Sequence, residues 1–356
     1  MHNPYLQLAV AEGFGESPVP ALLRPDLDPT ATLAAPPSPP DVSPRIAERL
    51  RAPDLAARAA DLQQRAAQHS LHVLTPDHPA WPPRLADAAL RPLVLFVRGD
   101  PHALAQSPAV AVVGSRTPTP YGSEAAQLLS QALARAGARL WSGLARGIDG
   151  IAHTACTAAK VPTIAVLAGG LDTIYPPEHL TLAERIVATG GALVSELPPG
   201  HRARRGHFVR RNRILALGAD AVVVVEGSLS SGALHTARFA AEFGPDVFAV
   251  PGPWTSERSQ GCHRLIAEGA HIVESPESLL QALGLLDATR AEDAPQLVRC
   301  AEEQRLLDLL RQGPRPGDLL AREAGLDRAT FLRALFALER AGQLQRRPGD
   351  LWARAT

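Results

Sequence analysis

Between His201 and Arg213 the chain reads HRARRGHFVRRNR, with six arginines (Arg202, Arg204, Arg205, Arg210, Arg211 and Arg213) and no acid. Guanidinium forks present planar, paired donors that match phosphate oxygens. Phe208 sits among them and offers a face on which a base could stack. A basic run alone describes a solvated surface as well as it describes a phosphate site. The setting separates the two. The run lies between a strand ending at Ser195 and a helix, Arg211 to Leu217, that leads to a second strand, Ala221 to Glu226. In an open α/β sheet such connections sit at the ligand-binding edge.

Other strand ends carry small residues with an arginine nearby. They are Gly114-Ser115-Arg116, the stretch Ser142 to Asp149 with Arg146, the pair Gly169-Gly170, and Ser228 to Gly232. Gly114 lets backbone approach a ligand, and amides at the start of a following helix can hold an anion. Ser231 and Gly232 stand closest to the start of their helix. Taken singly, each loop is ordinary turn chemistry. With Arg211-Asn212-Arg213 they would line one edge of one sheet, and that convergence predicts an anion-binding cleft.

Several chemistries drop out. The first strong strand is followed by GSRTPTPYG, which lacks the G-x-G-x-x-G dinucleotide fingerprint. Lys160, the only lysine, has no phosphate-loop glycine frame. Asp149, Asp172, Glu196 and Glu226 lie at strand or loop ends, and His153 and His235 early in helices, but no spacing joins them into a triad or a metal set. Asp149 reads as a helix N-cap or the partner of Arg146, and Glu226 as the orienter of a loop amide or an arginine. No catalytic residue, cofactor site or metal ligand is assigned. Cys156, Cys262 and Cys300 are far apart and form no C-x-x-C pair, so reduced thiols and a cytoplasmic location are expected. No signal peptide and no membrane-spanning run are expected.

The elements that must position these loops follow from the apolar pattern. The chain has 356 residues and is formally neutral. From about residue 70 to 285, strands that are apolar throughout alternate with helical patterns, which predicts an α/β domain with a parallel sheet covered on both faces. Residues 1 to 69 predict a small helical module. It carries a Pro-rich stretch, Ala35 to Pro44, and joins the rest by a flexible connection. Residues 286 to 298 are polar and suit a linker. Residues 299 to 356 read as three helices and a hairpin, a winged helix-turn-helix. Residues 301 to 356 hold ten arginines against eight acids, a small excess that favours a docking or packing module over duplex readout.

The ordered motifs resemble one known family, the DNA-processing proteins called DprA or Smf. They are GSR with Tyr121-Gly122, SGLARGID with Ala152-His153, AVLAGGLDTIYP (165 to 176), SEL (195 to 197), RNRILA (211 to 216), SGALHTA (231 to 237), VPG (250 to 252) and the run from Gly261 to Ala270. The resemblance covers roughly residues 70 to 285. The tail resembles the winged-helix domain of many members, and residues 1 to 69 occupy the place of a SAM-like domain without matching it motif by motif.

The resemblance implies an extended Rossmann-like fold, a homodimer, single-stranded DNA held in a positive pocket, and loading of the recombinase RecA during natural transformation. It implies no turnover and no cofactor. It maps the pocket onto Gly114, Ser115, Arg116, Arg211, Asn212, Arg213, Ser231 and Gly232. Two departures stand out: Phe208-Val209 where Phe-Pro is usual, and Ser230 where a basic residue commonly precedes Ser-Gly. Arg202, Arg204 and Arg205 are expected to replace that missing contact. The alternative is an enzyme, a nucleoside-monophosphate phosphoribohydrolase of related fold. Its Pro-Gly-Gly-x-Gly-Thr run is absent from residues 227 to 232.

Overall fold

The structure, a computed structural model of the chain, describes residues 3–14, 22, 28–86, 88, 90–286, 301–310, 313–340, 344–347 and 351–354. It divides into two compact units, Met1–Leu286 and Asp287–Thr356. The expected linker falls almost wholly outside the described residues.

The first unit opens with four helices, α1 (Pro4–Glu12), α2 (Pro29–Ala34), α3 (Pro44–Leu50) and α4 (Leu55–Gln68). The sheet strands are β1 (His72–Leu74), β2 (Leu95–Gly99), β3 (Ala109–Val113), β4 (Arg139–Ser142), β5 (Thr163–Val166), β6 (Ala192–Ser195), β7 (Ala221–Val224), β8 (Asp246–Ala249) and β9 (His271–Ile272). The helices between and after them are α5 (Pro83–Ala86), α6 (Pro120–Arg135), α7 (Ile148–Ala158), α8 (Leu180–Ala188), α9 (Arg205–Leu217), α10 (Ala233–Phe243), α11 (Gln260–Ala267) and α12 (Pro276–Ala282). The strand order is β1-β2-β6-β5-β4-β3-β7-β8-β9. The pairs from β6 through to β9 are parallel, while β1 to β2 and β2 to β6 are antiparallel.

This is the parallel sheet that the apolar runs predict, extended at one edge by two antiparallel strands, in the Rossmann-like fold that the resemblance implies. On β3, Ala109, Ala111 and Val113 join one buried cluster, and Val110 and Val112 join another on the opposite face. Side chains alternate across a strand, so a strand covered on both faces must be apolar at every position. The chain winds outward from β3 through β4 and β5 to β6. It then crosses back to place β7 on the other side of β3. The reversal puts a crevice at the carboxyl ends of β3 and β7, where ligands bind in such sheets.

Two expectations change. The N-terminal helices do not form a core of their own. Leu6, Leu8, Ile46 and Leu62 share one buried cluster with Phe96, Leu167 and Leu193 of the sheet region. The amphipathic faces of α1, α3 and α4 therefore cover one side of the sheet near β2, β5 and β6. The second change concerns the arginine run. Helix α9 begins at Arg205, six residues before the predicted start at Arg211. Most of the run is helix rather than loop, so its side chains fan out around an axis.

The second unit has helices α13 (Ala301–Leu309), α14 (Gly317–Ala324) and α15 (Arg328–Arg340) and strands β10 (Arg315–Pro316), β11 (Leu344–Arg347) and β12 (Leu351–Arg354). The strands order β10-β12-β11, all antiparallel. Leu306, Leu320, Phe331, Leu335 and Trp352 close its core. Three helices and a small sheet are the winged-helix arrangement read from the sequence.

Candidate nucleic-acid interface

A cleft of about 910 Å³ opens at the carboxyl ends of β3 and β7. Three segments build it: the β3–α6 loop, one face of α9, and the β7–α10 loop. Each is held by contacts that the local sequence explains.

The β3–α6 loop carries Gly114, Ser115 and Arg116, all lining the cleft. Glu226 at the end of β7 fixes this loop. Its carboxylate accepts from the Thr119 amide at 2.9 Å and from the Thr119 hydroxyl at 2.7 Å. Thr119 in turn caps α6 by accepting from the Gly122 amide. Glu226 thus orients a loop amide, as its position at a buried strand end suggests. The neighbouring loop supports the same backbone from below. Gly147 has φ +73°, and a Cβ there would lie 2.3 Å from the Ser115 carbonyl oxygen. Only glycine fits that conformation and that approach.

Helix α9 sorts the arginines by face. Residues 205, 208, 212 and 215 follow helical spacing, and all four line the cleft. Arg205 is exposed there, and Phe208 is half-buried. The Arg116 guanidinium stands 5.1 Å from the Phe208 ring centroid, a cation–π arrangement. Tyr175 packs edge-on against the other side of Phe208, with ring centroids 5.8 Å apart. Arg116, Phe208 and Tyr175 thus form one stack at the cleft wall. The cation and ring faces suit a phosphate and a base together.

Arg211 lies at the cleft floor, buried. It donates to the Gly143 carbonyl at 2.6 Å, to the Val166 carbonyl, and to Asn212 Oδ1 at 3.2 Å. A Cβ on Gly143 would fall 2.2 Å from the Arg211 guanidinium, so a side chain there would push that guanidinium aside. Asn212 donates to the Gly232 carbonyl at 3.1 Å. These two side chains tie the ends of β4 and β5 and the start of α10 to α9. Burial pulls the Arg211 pKa down to about 10, against the attraction of Asp149. Asp149 is also buried, and burial raises its pKa against the pull of Arg211. It accepts from the Gly143 and Ala145 amides at 3.1 and 3.3 Å. Asp149 therefore shapes the loop and balances Arg211; it neither caps α7 nor pairs with Arg146, the two roles its sequence position suggests. Arg146 pairs instead with Glu178, at a small recess beside the cleft.

Arg210 and Arg213 depart from the sequence reading. They lie three residues apart on the helix face that turns away from the cleft. Both are buried against Glu196, Arg210 with two bonds of 2.8 and 2.9 Å and Arg213 with one of 2.6 Å. Glu196 follows β6, so the pairs anchor α9 to that strand end. Burial alone would raise the Glu196 pKa, but Arg213 and Arg210 together hold it down to about 2. Neither arginine lines the cleft.

Of the remaining sequence-predicted residues, Ser231 and Gly232 line the cleft at the start of α10, where Ser231 Oγ accepts from the Ala233 amide. Arg202 and Arg204 are exposed and lie outside the lining. Arg258, half-buried, lines the cleft but has no motif of its own in the sequence. Its carbonyl accepts from Gly227, which brings a distant turn to the β7 end. Tyr175 also went unassigned, although it closes the conspicuous AVLAGGLDTIYP run.

Comparisons with known proteins identify the family. The profile of DNA recombination-mediator protein A matches residues 72–284, and that of the DprA winged helix domain matches residues 288–350. Protein Smf of Escherichia coli is 40% identical over 290 residues, covering 79% of this chain and 77% of that protein. A putative DNA processing protein DprA of Mycobacterium tuberculosis is 39% identical over 310 residues, 82% of this chain and 79% of its own. The crystal structure of DprA from Streptococcus pneumoniae superposes with a TM-score of 0.59 at 34% identity, over 66% of this chain and 84% of that one. A structure from Helicobacter pylori, described by its single-stranded DNA binding mode, superposes with a TM-score of 0.53 at 28% identity, over 60% and 95%. The two profiles together cover most of the chain, and the chain belongs to the DprA (Smf) family of DNA-processing proteins.

Proposed function

We propose that the cleft binds single-stranded DNA without sequence preference, and that the protein delivers that strand to RecA for recombination during natural transformation. The observation that carries the binding is the convergence of Arg116, Arg205, Arg211 and Arg258 around the Phe208–Tyr175 stack. Positive charge tracks a phosphate backbone, and an aromatic face accepts any base. Asp149 and Asn212, the buried acid and amide of the lining, are engaged with backbone groups of the protein itself, which favours backbone-led binding. The Helicobacter pylori relative, a structure determined for its single-stranded DNA binding, supports the same reading. Delivery to RecA and a homodimeric state rest on family membership. The proposal assigns no turnover: Asp149, the buried acid of the cleft, is committed to two loop amides and to Arg211.

The test is fluorescence anisotropy of a labelled single strand across a salt series, with duplex as competitor. Three to four engaged arginines predict a slope of log affinity against log salt of roughly −2 to −3. Arg116→Ala should weaken all sequences alike. A duplex preference untouched by Arg116→Ala and Arg211→Ala would move DNA binding out of the cleft. RecA filament assembly on the single strand, with and without the protein, tests delivery.

A further inference from the structure

A second basic groove lies away from the cleft, where the N-terminal helices meet the loop after β6. It has a volume of about 330 Å³. Arg49, Arg58, Arg65, Asp61, Pro198 and His201 form its walls. Positions 58, 61, 62 and 65 share one face of α4, with Leu62 buried against the sheet domain and the charged side chains outward. Three arginines face one acid, and Asp61 is already paired with Arg65 at 2.9 Å. Arg58 is exposed and makes no ion pair or side-chain hydrogen bond with the described residues. The groove is preformed: the Phe14 ring packs edge-on against His201 at 6.0 Å and against Phe96 at 6.1 Å, which pins the two walls together.

The groove joins the cleft through the chain itself. His201 stands in the groove wall and Arg205 in the cleft wall. Residues 201 to 204 between them are non-helical, and Arg204 is extended, with φ −125° and ψ 159°. Four residues span at most roughly 14 Å. Arg202 and Arg204 project from that bridge, exposed and with no ion pair among the described residues. They are the two members of the arginine run that neither the cleft nor the Glu196 anchor uses.

We propose that the groove between α4 and the 198–201 loop is a second phosphodiester site, which holds the same single strand after it leaves the cleft along Arg204 and Arg202. The inference rests on the cleft reading. It gives the N-terminal helices a role: they lengthen the binding track. A row of guanidinium groups with one compensated acid suits a phosphate backbone, and the Phe14–His201 pair in the same lining offers at most a ring face that any base could meet, so the groove should contribute charge and no base preference.

The experiment compares oligothymidylates of about six and about twenty nucleotides on the full chain. The variants are Arg58→Glu with Arg65→Glu, and separately Arg58→Ala. The double variant should bind the long strand about ten-fold more weakly and lower its salt slope by about 1.4, two phosphates' worth. The alanine variant should lower the slope by about 0.7. Neither should change affinity for the short strand. Both substitutions sit on exposed side chains, and an unchanged thermal melt confirms the fold. Long-strand affinity and slope equal to wild type would overturn the inference and leave the cleft reading standing. An equal loss on both lengths would also overturn it, since the damage would then lie in the cleft. A wild-type protein that binds neither length would remove the cleft reading and the groove together.

Discussion

The two halves of the arginine run are built from one residue type and do opposite work. Arg202, Arg204 and Arg205 stand in solvent, and Arg205 turns toward the cleft. Arg210 and Arg213 are buried on one carboxylate, and Arg213 is only 1% exposed. Arg211 lies between the two regimes, buried yet at the cleft floor. Position on a helix decides the matter. A turn of 3.6 residues carries 205, 208 and 212 to one side and 210 and 213 to the other. The buried pair supplies rigidity: two guanidiniums on Glu196 lock the helix to the β6 end, so the open face is presented without reorganisation. Local charge density is therefore a poor guide to ligand contact until burial is known.

The sharpest way to break this comparison is to remove the shared carboxylate. Glu196→Gln leaves two buried guanidiniums without a counter-charge, and Glu12 compensates only in part through its attraction for Arg210. The expected cost is about 3–5 kcal/mol in urea unfolding. A cost near zero would show that the pair is solvated and that Arg210 and Arg213 are available to a ligand.

Acid should act on the same buried framework. His153 is fully buried beside Thr163, and burial lowers its pKa from 6.5 to about 3. Between those values the unfolded chain takes up a proton that the folded chain refuses, so stability falls as pH drops below 6.5. Glu196, held at about 2 against an ordinary 4.5, adds a further loss as pH falls from 4.5 toward 2. Each group contributes at most about 1.4 kcal/mol per pH unit. The melting temperature should therefore decline steadily from pH 6.5 downward, and His153→Asn should flatten the upper part of that decline.

Arg211→Ala probes the intermediate case. It strips donors from the Gly143 and Val166 carbonyls and leaves Asp149 without its cation. The expected stability loss is about 1–3 kcal/mol, accompanied by loss of single-strand affinity of about ten-fold or more. Loss of affinity with unchanged stability would make Arg211 a pure ligand contact. The smallest structural effect belongs to Arg204→Glu with Arg205→Glu. Stability should stay within about 0.5 kcal/mol, while the salt slope falls by about 0.7 to 1.4. Equal stability losses in this variant and in Glu196→Gln would erase the distinction between the halves.

Much of the fold was legible because buried parallel strands leave little choice of sequence. The runs at 109–113, 163–166, 192–195 and 221–224 are apolar at nearly every position, and each became a strand. Of the small residues after them, Gly114 and Ser231-Gly232 line the cleft, while Gly169 lines only the recess beside it. The start of α9 was not legible. Six arginines, a glycine and two histidines within 201–213 carry almost no apolar period, and Arg205 starts the helix without a capping side chain. Its helical state comes from packing: Glu196 holds one face and the Arg116–Phe208–Tyr175 stack holds another. Arg258 and Glu178 were invisible for a similar reason, since each reaches its partner across tens of residues.

Sequence alone determined the alternation of elements, the loops at the carboxyl edge, the winged-helix tail and, through its ordered motifs, the family. Those features depend on local period, turn residues and backbone freedom, which short stretches carry by themselves. Tertiary structure alone decided which arginines face the cleft, that the N-terminal helices share the sheet's core, and that a second basic groove lies beside the first. Burial and pairing belong to space and not to spacing: the same guanidinium is a phosphate contact in water and a structural cation beside Glu196.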